Sequence, residues 1–274
     1  MARELGDVLH YFLDEADVGE ASGVRGGGET EPVESTLPAA PVVGVPLGES
    51  DVVRAAYVWN LAVEIARSGA SATVVAARDT QTEALWPAPG VGPLGAELVL
   101  SGARDLGELA RTARDLASQR GRGRGKPGLV LVCMPAAWLA RAAGPEDLPP
   151  WFLLFTTPDP RELRACYDLI ERVLRGVPRG RVGVTVHGVG SIAEARAAFL
   201  SLASASERNL GSGLVSYGLL LDDLHVYRAI VSLRPIGLAH PQSRGARAVR
   251  DVARLLLEDA PRFGPEASGW QERG

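Results

Sequence analysis

Lysine is almost absent from this chain of 274 residues, in which Lys126 is the only one. It lies in a segment rich in glycine and arginine that precedes an apolar stretch, and not between a strand and a helix. A phosphate-binding loop of the form G-x-x-x-x-G-K-[ST] requires a lysine at a strand-to-helix turn. The sequence therefore excludes this loop at every position.

Cysteines, long apolar runs and an excess of positive charge are also lacking. Cys133 and Cys166 have no paired spacing and lie in apolar segments, which predicts reduced, buried thiols and a cytoplasmic protein. The first residues lack the apolar region of a secretory signal, and the longest apolar stretch, 128–140, is too short to cross a bilayer. With a net charge of −4, nucleic acid is not the expected partner. The four histidines and two cysteines show no metal-ligand spacing, so we predict no metal site.

The ends of the chain differ in composition from its middle. A short amphipathic helix is predicted over residues 1–16, because apolar side chains recur there at helical spacing: Leu5, Val8, Leu9, Phe12 and Leu13. Residues 17–40 are rich in Gly, Glu, Ser and Pro and predict a flexible, disordered linker. Residues 261–274 predict a disordered tail.

Residues 41–260 predict one α/β domain, because short apolar runs alternate with helical stretches. The predicted strands are 42–46, 72–77, 129–134, 151–156, 181–187 and 214–221. The predicted helices are 51–67, 104–119, 160–175, 191–208 and 245–258. Residues 119–128 predict a surface loop. Alternation of this kind favours right-handed crossovers and a doubly wound, mostly parallel sheet flanked by helices.

Three segments carry a resemblance to a known family. They are FLLFTTPDPRELRACYDLIERVL (152–174), YGLLLDDLHVYRAIVSLRPIGLAHPQSRGARAVRDVARLLL (217–257) and NLAVEIARSG (60–69). In their order and spacing, over about residues 41 to 258, they resemble the MinD/ParA family of P-loop ATPases, and most closely its flagellar-number branch, FlhG. The resemblance implies a P-loop NTPase-like fold.

The resemblance also shows which nucleotide contacts the chain lacks. Without a gap, the family's loop G-K-G-G-V-G-K-T falls on residues 48–55, where only Gly48 of its glycines remains. The phosphate-neutralising lysine becomes Arg54, and the hydroxyl that holds Mg²⁺ becomes Ala55. The lysine that reaches a nucleotide across the family's dimer becomes Glu49. A phosphate cradle needs glycines because its backbone turns through positive φ, which a β-branched residue such as Val53 adopts poorly.

Three further positions of the family's nucleotide site are altered. At most Asp79 survives of the carboxylates that end the second strand, Cys133 replaces a Mg²⁺-associated carboxylate, and Thr185 replaces a base-contacting asparagine. We therefore expect a degenerate, non-catalytic pseudo-ATPase without ATP or Mg²⁺.

The altered loop itself predicts a longer helix. Val52, Ala56, Trp59 and Val63 recur at helical spacing, and Asp51 or Ser50 is a plausible N-cap.

Two other clusters of charged or titratable residues are interpreted as parts of the fold and not as functional sites. Asp222, Asp223 and His225 are expected at an exposed strand-to-helix turn and not at a catalytic site. Arg244, Arg247, Arg250 and Arg254 predict the solvated side of the last helix. The carboxyl-terminal residues have no apolar stripe, so a MinD-type membrane helix is not expected.

The favoured hypothesis is an adaptor or regulator that positions a bacterial cell-envelope, polar or flagellar machine through protein contacts. Its partner-binding residues would be the apolar stripe of residues 1–16, although folding of this helix onto its own domain remains open. FlhG-type proteins use an amino-terminal extension on a partner GTPase, but the Asp-Gln-Ala motif typical there is absent. A homodimer or a heterodimer with an active paralogue is compatible with this hypothesis.

Two alternatives remain open from the sequence. The first is an ATPase with unusual ligands, in which Arg54 holds phosphate and Asp79 holds the metal. The second is a nonspecific DNA-binding partition protein that uses Arg247 and Arg250 on phosphates.

Overall fold

The computed structural model describes residues 39–48, 51–78, 86–121, 126–142 and 144–263. The predicted amino-terminal helix, the linker up to residue 38, Glu49, Ser50, Asp79 and residues 264–274 lie outside the described residues.

The described residues form one eight-stranded sheet. Its strands are β1 (Val42–Leu47), β2 (Ala70–Ala77), β3 (Gly90–Val91), β4 (Glu97–Ser101), β5 (Lys126–Pro135), β6 (Trp151–Thr156), β7 (Arg181–Val189) and β8 (Val215–Leu221). Their order across the sheet is β3-β4-β2-β5-β1-β6-β7-β8, and only the edge pair β3–β4 is antiparallel. This order confirms the predicted doubly wound, mostly parallel sheet.

Helices cover both faces of the sheet. They are α1 (Val52–Arg67), α2 (Leu106–Gly121), α3 (Pro160–Gly176), α4 (Ile192–Leu210), α5 (Leu224–Val231), α6 (Ile236–Ala239) and α7 (Arg244–Asp259). α1 packs against α6 and α7, whereas α3 packs against α4 and α2 contacts β5, β2 and β1. The central strands are buried on both faces for this reason, which explains their continuous apolar sequences.

The sequence prediction missed the edge of the sheet. β3 and β4 were not predicted: β3 has two residues, and β4 begins with a glutamate and is only partly buried. The predicted surface loop 119–128 is too long, because α2 continues to Gly121 and β5 begins at Lys126. The six predicted strands and five predicted helices are otherwise confirmed to within a few residues.

The described fold extends slightly beyond the predicted end of the domain. Residues 261–263, which the sequence assigned to the tail, belong to a 3-10 turn, Ala260–Phe263. The Phe263 ring stacks on that of buried Trp151 at a centroid distance of 4.5 Å. The guanidinium of Arg181 lies 5.7 Å from the centre of the same ring. These contacts fix the end of the described chain against the amino-terminal ends of β6 and β7.

Candidate functional site

The candidate site lies where the chain direction across the sheet reverses. From β1 the chain crosses to β2 on one side through α1, and from β6 it crosses to β7 on the other side through α3. β1 and β6 are neighbours, so their carboxyl ends border a crevice. In open α/β sheets such a crevice is the usual ligand site.

The helix that begins at this crevice is capped by its own side chain. Asp51 is the N-cap of α1, and its Oδ1 accepts a hydrogen bond of 3.1 Å from the backbone N of Arg54. This confirms the sequence expectation of a helix with Asp51 as its N-cap. A helix amino terminus attracts anions, and here a carboxylate of the protein occupies that position.

Arg54 is held by two carboxylates of the protein. Its Nη1 lies 3.1 Å from Asp51 Oδ2 on the same helix, and its Nη2 donates to Glu162 Oε2 on α3. Glu162 lies in the first turn of α3, a helix capped by Asp159. The Arg54 side chain is only 18% exposed as a result. One cation therefore faces two anions, and the local balance of charge is negative.

His187 completes the cluster from β7. Its Nε2 lies 3.4 Å from Arg54 Nε, and its ring packs against the rings of Tyr57 and Phe155. Burial, with a smaller effect of the Arg54 charge, lowers the pKa of His187 to about 4. The ring is therefore neutral at pH 7, and Nε2 can accept the hydrogen bond from Arg54.

The other positions singled out by the sequence are buried or give no reactive group. Ala55 is 0% exposed and Cys133 is 4% exposed. Burial raises the pKa of the Cys133 thiol well above its usual value, so the thiol stays protonated. Thr185 is also 0% exposed, and its Oγ1 has no hydrogen-bond partner among the described residues. Gly48 is exposed, and an added Cβ would meet no atom closer than 4.0 Å, so nothing there requires glycine.

A second thiol, that of Cys166 on α3, lies close to the cluster. Burial raises its pKa to about 12, with a smaller opposing effect of Arg54. Neither thiol is a nucleophile at neutral pH.

Solved structures with the same architecture are known. MinD from Aquifex aeolicus has a TM-score of 0.57 and 16% identity over 80% of this chain and 97% of its own. That MinD also occurs in a solved MinC:MinD cell division protein complex. MinD from Pyrococcus horikoshii OT3, complexed with Mg-ADP, has a TM-score of 0.55 and 14% identity over 79% and 95%. A ParA family ATPase from Chlorobium tepidum TLS has a TM-score of 0.51 and 11% identity over 79% and 98%.

The chain has the MinD/ParA fold. No protein-family model and no curated protein matches its sequence. At identities this low the MinD/ParA fold is shown, and the chemistry of the chain has to come from its own residues. On this fold the β1–α1 junction is the position that the resemblance assigns to the phosphate loop.

The structure brings together only some of the residues that the sequence indicated on the MinD/ParA fold. Arg54 meets Asp51, whereas Ala55, Cys133 and Thr185 are buried separately within the core. Glu162 and His187 were missed as members of the site. They lie 108 and 133 positions from Arg54 in the chain, so no local pattern indicates the contact. The Thr-Thr-Pro-Asp-Pro turn before α3 does place Glu162 at the same crevice.

The other clusters agree with their structural interpretations. Asp223 is the N-cap of α5 and accepts hydrogen bonds from the backbone N atoms of His225 and Gly245. Arg250 Nε lies 3.4 Å from Glu64 Oε2, and Arg254 Nη2 lies 3.3 Å from Asp251 Oδ1. In the part of the chain that the structure describes, no group of His, Cys, Asp or Glu has the arrangement of a metal site. None of the helices in that part is long and apolar enough to span a membrane.

Proposed function

We propose that this chain is a non-catalytic MinD/ParA-like protein, a pseudo-ATPase that acts as an adaptor or regulator through protein contacts. The observation that carries the proposal is the engagement of Arg54 by Asp51 and Glu162 at the switch point. A nucleotide phosphate would have to displace both carboxylates before it reached this guanidinium.

Electrostatics oppose such a displacement. A triphosphate is strongly anionic, and the crevice already contains two carboxylates for a single cation. His187 adds no positive charge, because its lowered pKa keeps it neutral at pH 7. Like charges repel, and the repulsion is stronger where water is largely excluded, as it is around the Arg54 side chain. In place of a phosphate, Glu162 binds Arg54 and links α1 to α3.

Where the resemblance assigns Mg²⁺ contacts to residues that the structure describes, these residues no longer offer an oxygen ligand. Mg²⁺ requires oxygen ligands, and Ala55 offers none. The Cys133 sulfur is buried and protonated. The described residues at these positions do not fit Mg-ATP, and we therefore assign no step of hydrolysis to the chain.

A chain of this fold that binds no nucleotide can still bind other proteins through its surfaces. We place the chain nearest the FlhG branch, as a cytoplasmic protein that serves a cell-envelope, polar or flagellar machine. A MinD of the same fold has been solved in a complex with its partner MinC. The apolar stripe of residues 1–16 is the segment best suited to capture a partner, because it presents five large apolar side chains at helical spacing.

Affinity capture with the full chain tests this role. The full chain, a variant without residues 1–16 and the double variant Leu9→Asp, Phe12→Asp are compared with and without Mg-ATP. We expect a defined partner that the full chain retains equally with and without Mg-ATP and that both variants lose. Identical partner lists for all three proteins would remove the docking role of the helix, and release by Mg-ATP would contradict the loss of nucleotide control.

A further inference from the structure

An apolar groove of about 390 Å³ lies on the sheet face covered by α2, far from the Arg54 cluster. One wall is α2, with Ala110, Ala113 and Ala117, and the opposite wall includes Leu148 and Pro149. Side chains of the sheet, among them Met134 of β5, form the floor. Leu106 and Arg114 of α2 also line the groove, as do Glu146 and Asp147 of the β5–β6 connection, so apolar and charged side chains both contribute to its lining.

The topology explains why this space is empty. The connection from β5 to β6 passes over β1, and a parallel crossover of this kind usually covers the sheet with an α-helix. Here the described parts of the connection, 136–142 and 144–150, contain two 3-10 turns and no α-helix. The groove lies beside these turns, where the covering helix would be expected.

The chain itself enters the fold at the rim of the groove. Ala39 and Ala40, the first described residues, line it, and the backbone N of Ala40 donates a hydrogen bond of 3.0 Å to the carbonyl of Ala117 on α2. The point at which residues 1–38 are joined to the described domain is therefore at this site.

We propose that the groove binds residues 3–16 of the same chain, as the helix that the β5–β6 crossover lacks. The apolar stripe from Leu5 to Leu13 can pack on the apolar part of the lining, which includes the three alanines of α2. A helix of 14 residues is about 21 Å long, close to the roughly 24 Å of α2, along which it would pack.

The intervening chain permits this docking within one molecule. Residues 17–38 are rich in Gly, Glu, Ser and Pro, and a chain of that length has an average end-to-end distance of roughly 25 Å. A tether of this length gives an effective concentration near the millimolar range, so a contact with a dissociation constant below about 1 mM is mostly formed.

Residues 3–16 suit the groove better than the other end of the chain does. Residues 264–274 are also joined to the described domain at the groove, since Phe263 lines it, but Trp270 is their only large apolar residue. One large apolar side chain can bury less apolar surface in the groove than a stripe of five can.

Docking in this way would withhold the apolar stripe from other proteins until a partner displaces it. The contact requires neither a nucleotide nor a partner. The docking can therefore be disproved while the proposed function holds, and the proposed function can be disproved while the docking holds.

Hydrogen exchange of the full chain, followed by mass spectrometry, tests the docking. We expect the amides of residues 5–13 to exchange about tenfold more slowly than in a free peptide of residues 1–16, as a largely formed local structure would require. The protection should be lost in Ala110→Glu, which places a charge in the groove. It should also be lost in the double variant Leu9→Asp, Phe12→Asp. The matched control, Ala197→Glu at an exposed position of α4, should keep it.

Several outcomes would overturn the proposal. One is exchange of residues 5–13 at the peptide rate in the unmodified chain; another is protection that persists in the segment variant, whose changes lie outside the described domain. If protection depends on protein concentration, the occupant is a second copy. If deletion of residues 264–274, and not the segment variant, exposes the amides of α2, the occupant is the tail. Circular dichroism shows whether the domain of Ala110→Glu is folded. If it is unfolded, the docking is tested by the segment variant Leu9→Asp, Phe12→Asp alone.

Discussion

At the scale of single residues, the candidate site is defined by what Arg54 contacts. Alignment of the sequence on the family's loop identified Arg54 and Ala55 as replacements, and capping chemistry identified Asp51. Glu162 and His187 could not be predicted in the same way, because their contacts with Arg54 depend on how β1, β6 and β7 lie side by side. Local chemistry was therefore predictable at the site, and long-range pairing was not.

His187 gives the first prediction at this scale. Its pKa of about 4 is below the usual 6.5, so the unfolded chain takes up a proton first as the pH falls. The folded state therefore loses stability between about pH 6.5 and pH 4, by about 3 kcal/mol. His187→Gln should lose less stability than the unmodified protein over this range, as measured by urea unfolding at pH 7.5 and pH 4.

The control for this titration is Ala197→Gln at an exposed position of α4, which retains His187, adds no titratable group and should keep the pH dependence of the unmodified protein. Equal slopes for the unmodified protein and His187→Gln would show that His187 is not the buried neutral group described above.

At the scale of elements, the helices and buried strands were predictable because their apolar periodicity is strong. The edge of the sheet was not predictable, because β3 has only two residues and β4 only five. Of these seven residues, one is buried. The short β5–β6 turns were not predicted either, since nothing in their composition says that a covering helix is missing. Asn60 is an example of a residue whose structural role the sequence pattern does not reveal. In the sequence it is the first residue of the segment NLAVEIARSG, and its role depends on a contact with a distant helix.

Asn60 joins two helices through its buried amide. Its Oδ1 accepts a hydrogen bond of 2.6 Å from the backbone N of Ile236 at the start of α6, and its Nδ2 donates to the carbonyl of Ala56. Asn60→Ala leaves the N–H of Ile236 buried without this partner, so we expect a loss of about 1–3 kcal/mol in the free energy of unfolding. Thermal and urea unfolding measure it.

Asn209→Ala provides a matched comparison, because Asn209 is exposed near the end of α4. It should change stability by less than about 0.5 kcal/mol. Similar losses in the two variants would argue against a bridging role for Asn60.

At the scale of the whole molecule, the MinD/ParA fold is kept, and Arg54 at its β1–α1 junction is paired with two carboxylates of the protein. A ligand shifts an equilibrium between states only if it binds them differently. A chain that binds no nucleotide should therefore have one oligomeric state in all nucleotide conditions. Sedimentation velocity with Mg-ADP, with Mg-ATP and without nucleotide should give the same distribution. A dimer that forms only with Mg-ATP would restore the nucleotide switch that the proposed function removes.

The most direct measurement is titration calorimetry of the full chain with Mg-ATP and Mg-ADP. Because Asp51 and Glu162 hold Arg54 and Ala55 offers Mg²⁺ no ligand, we predict no saturable heat with either nucleotide. The contradictory result is saturable binding that Arg54→Ala abolishes and that Arg161→Ala, at an exposed neighbouring position on α3, retains. That result would show that the Arg54 cluster opens to hold phosphate, and the chain would then be a nucleotide-binding protein with unusual ligands.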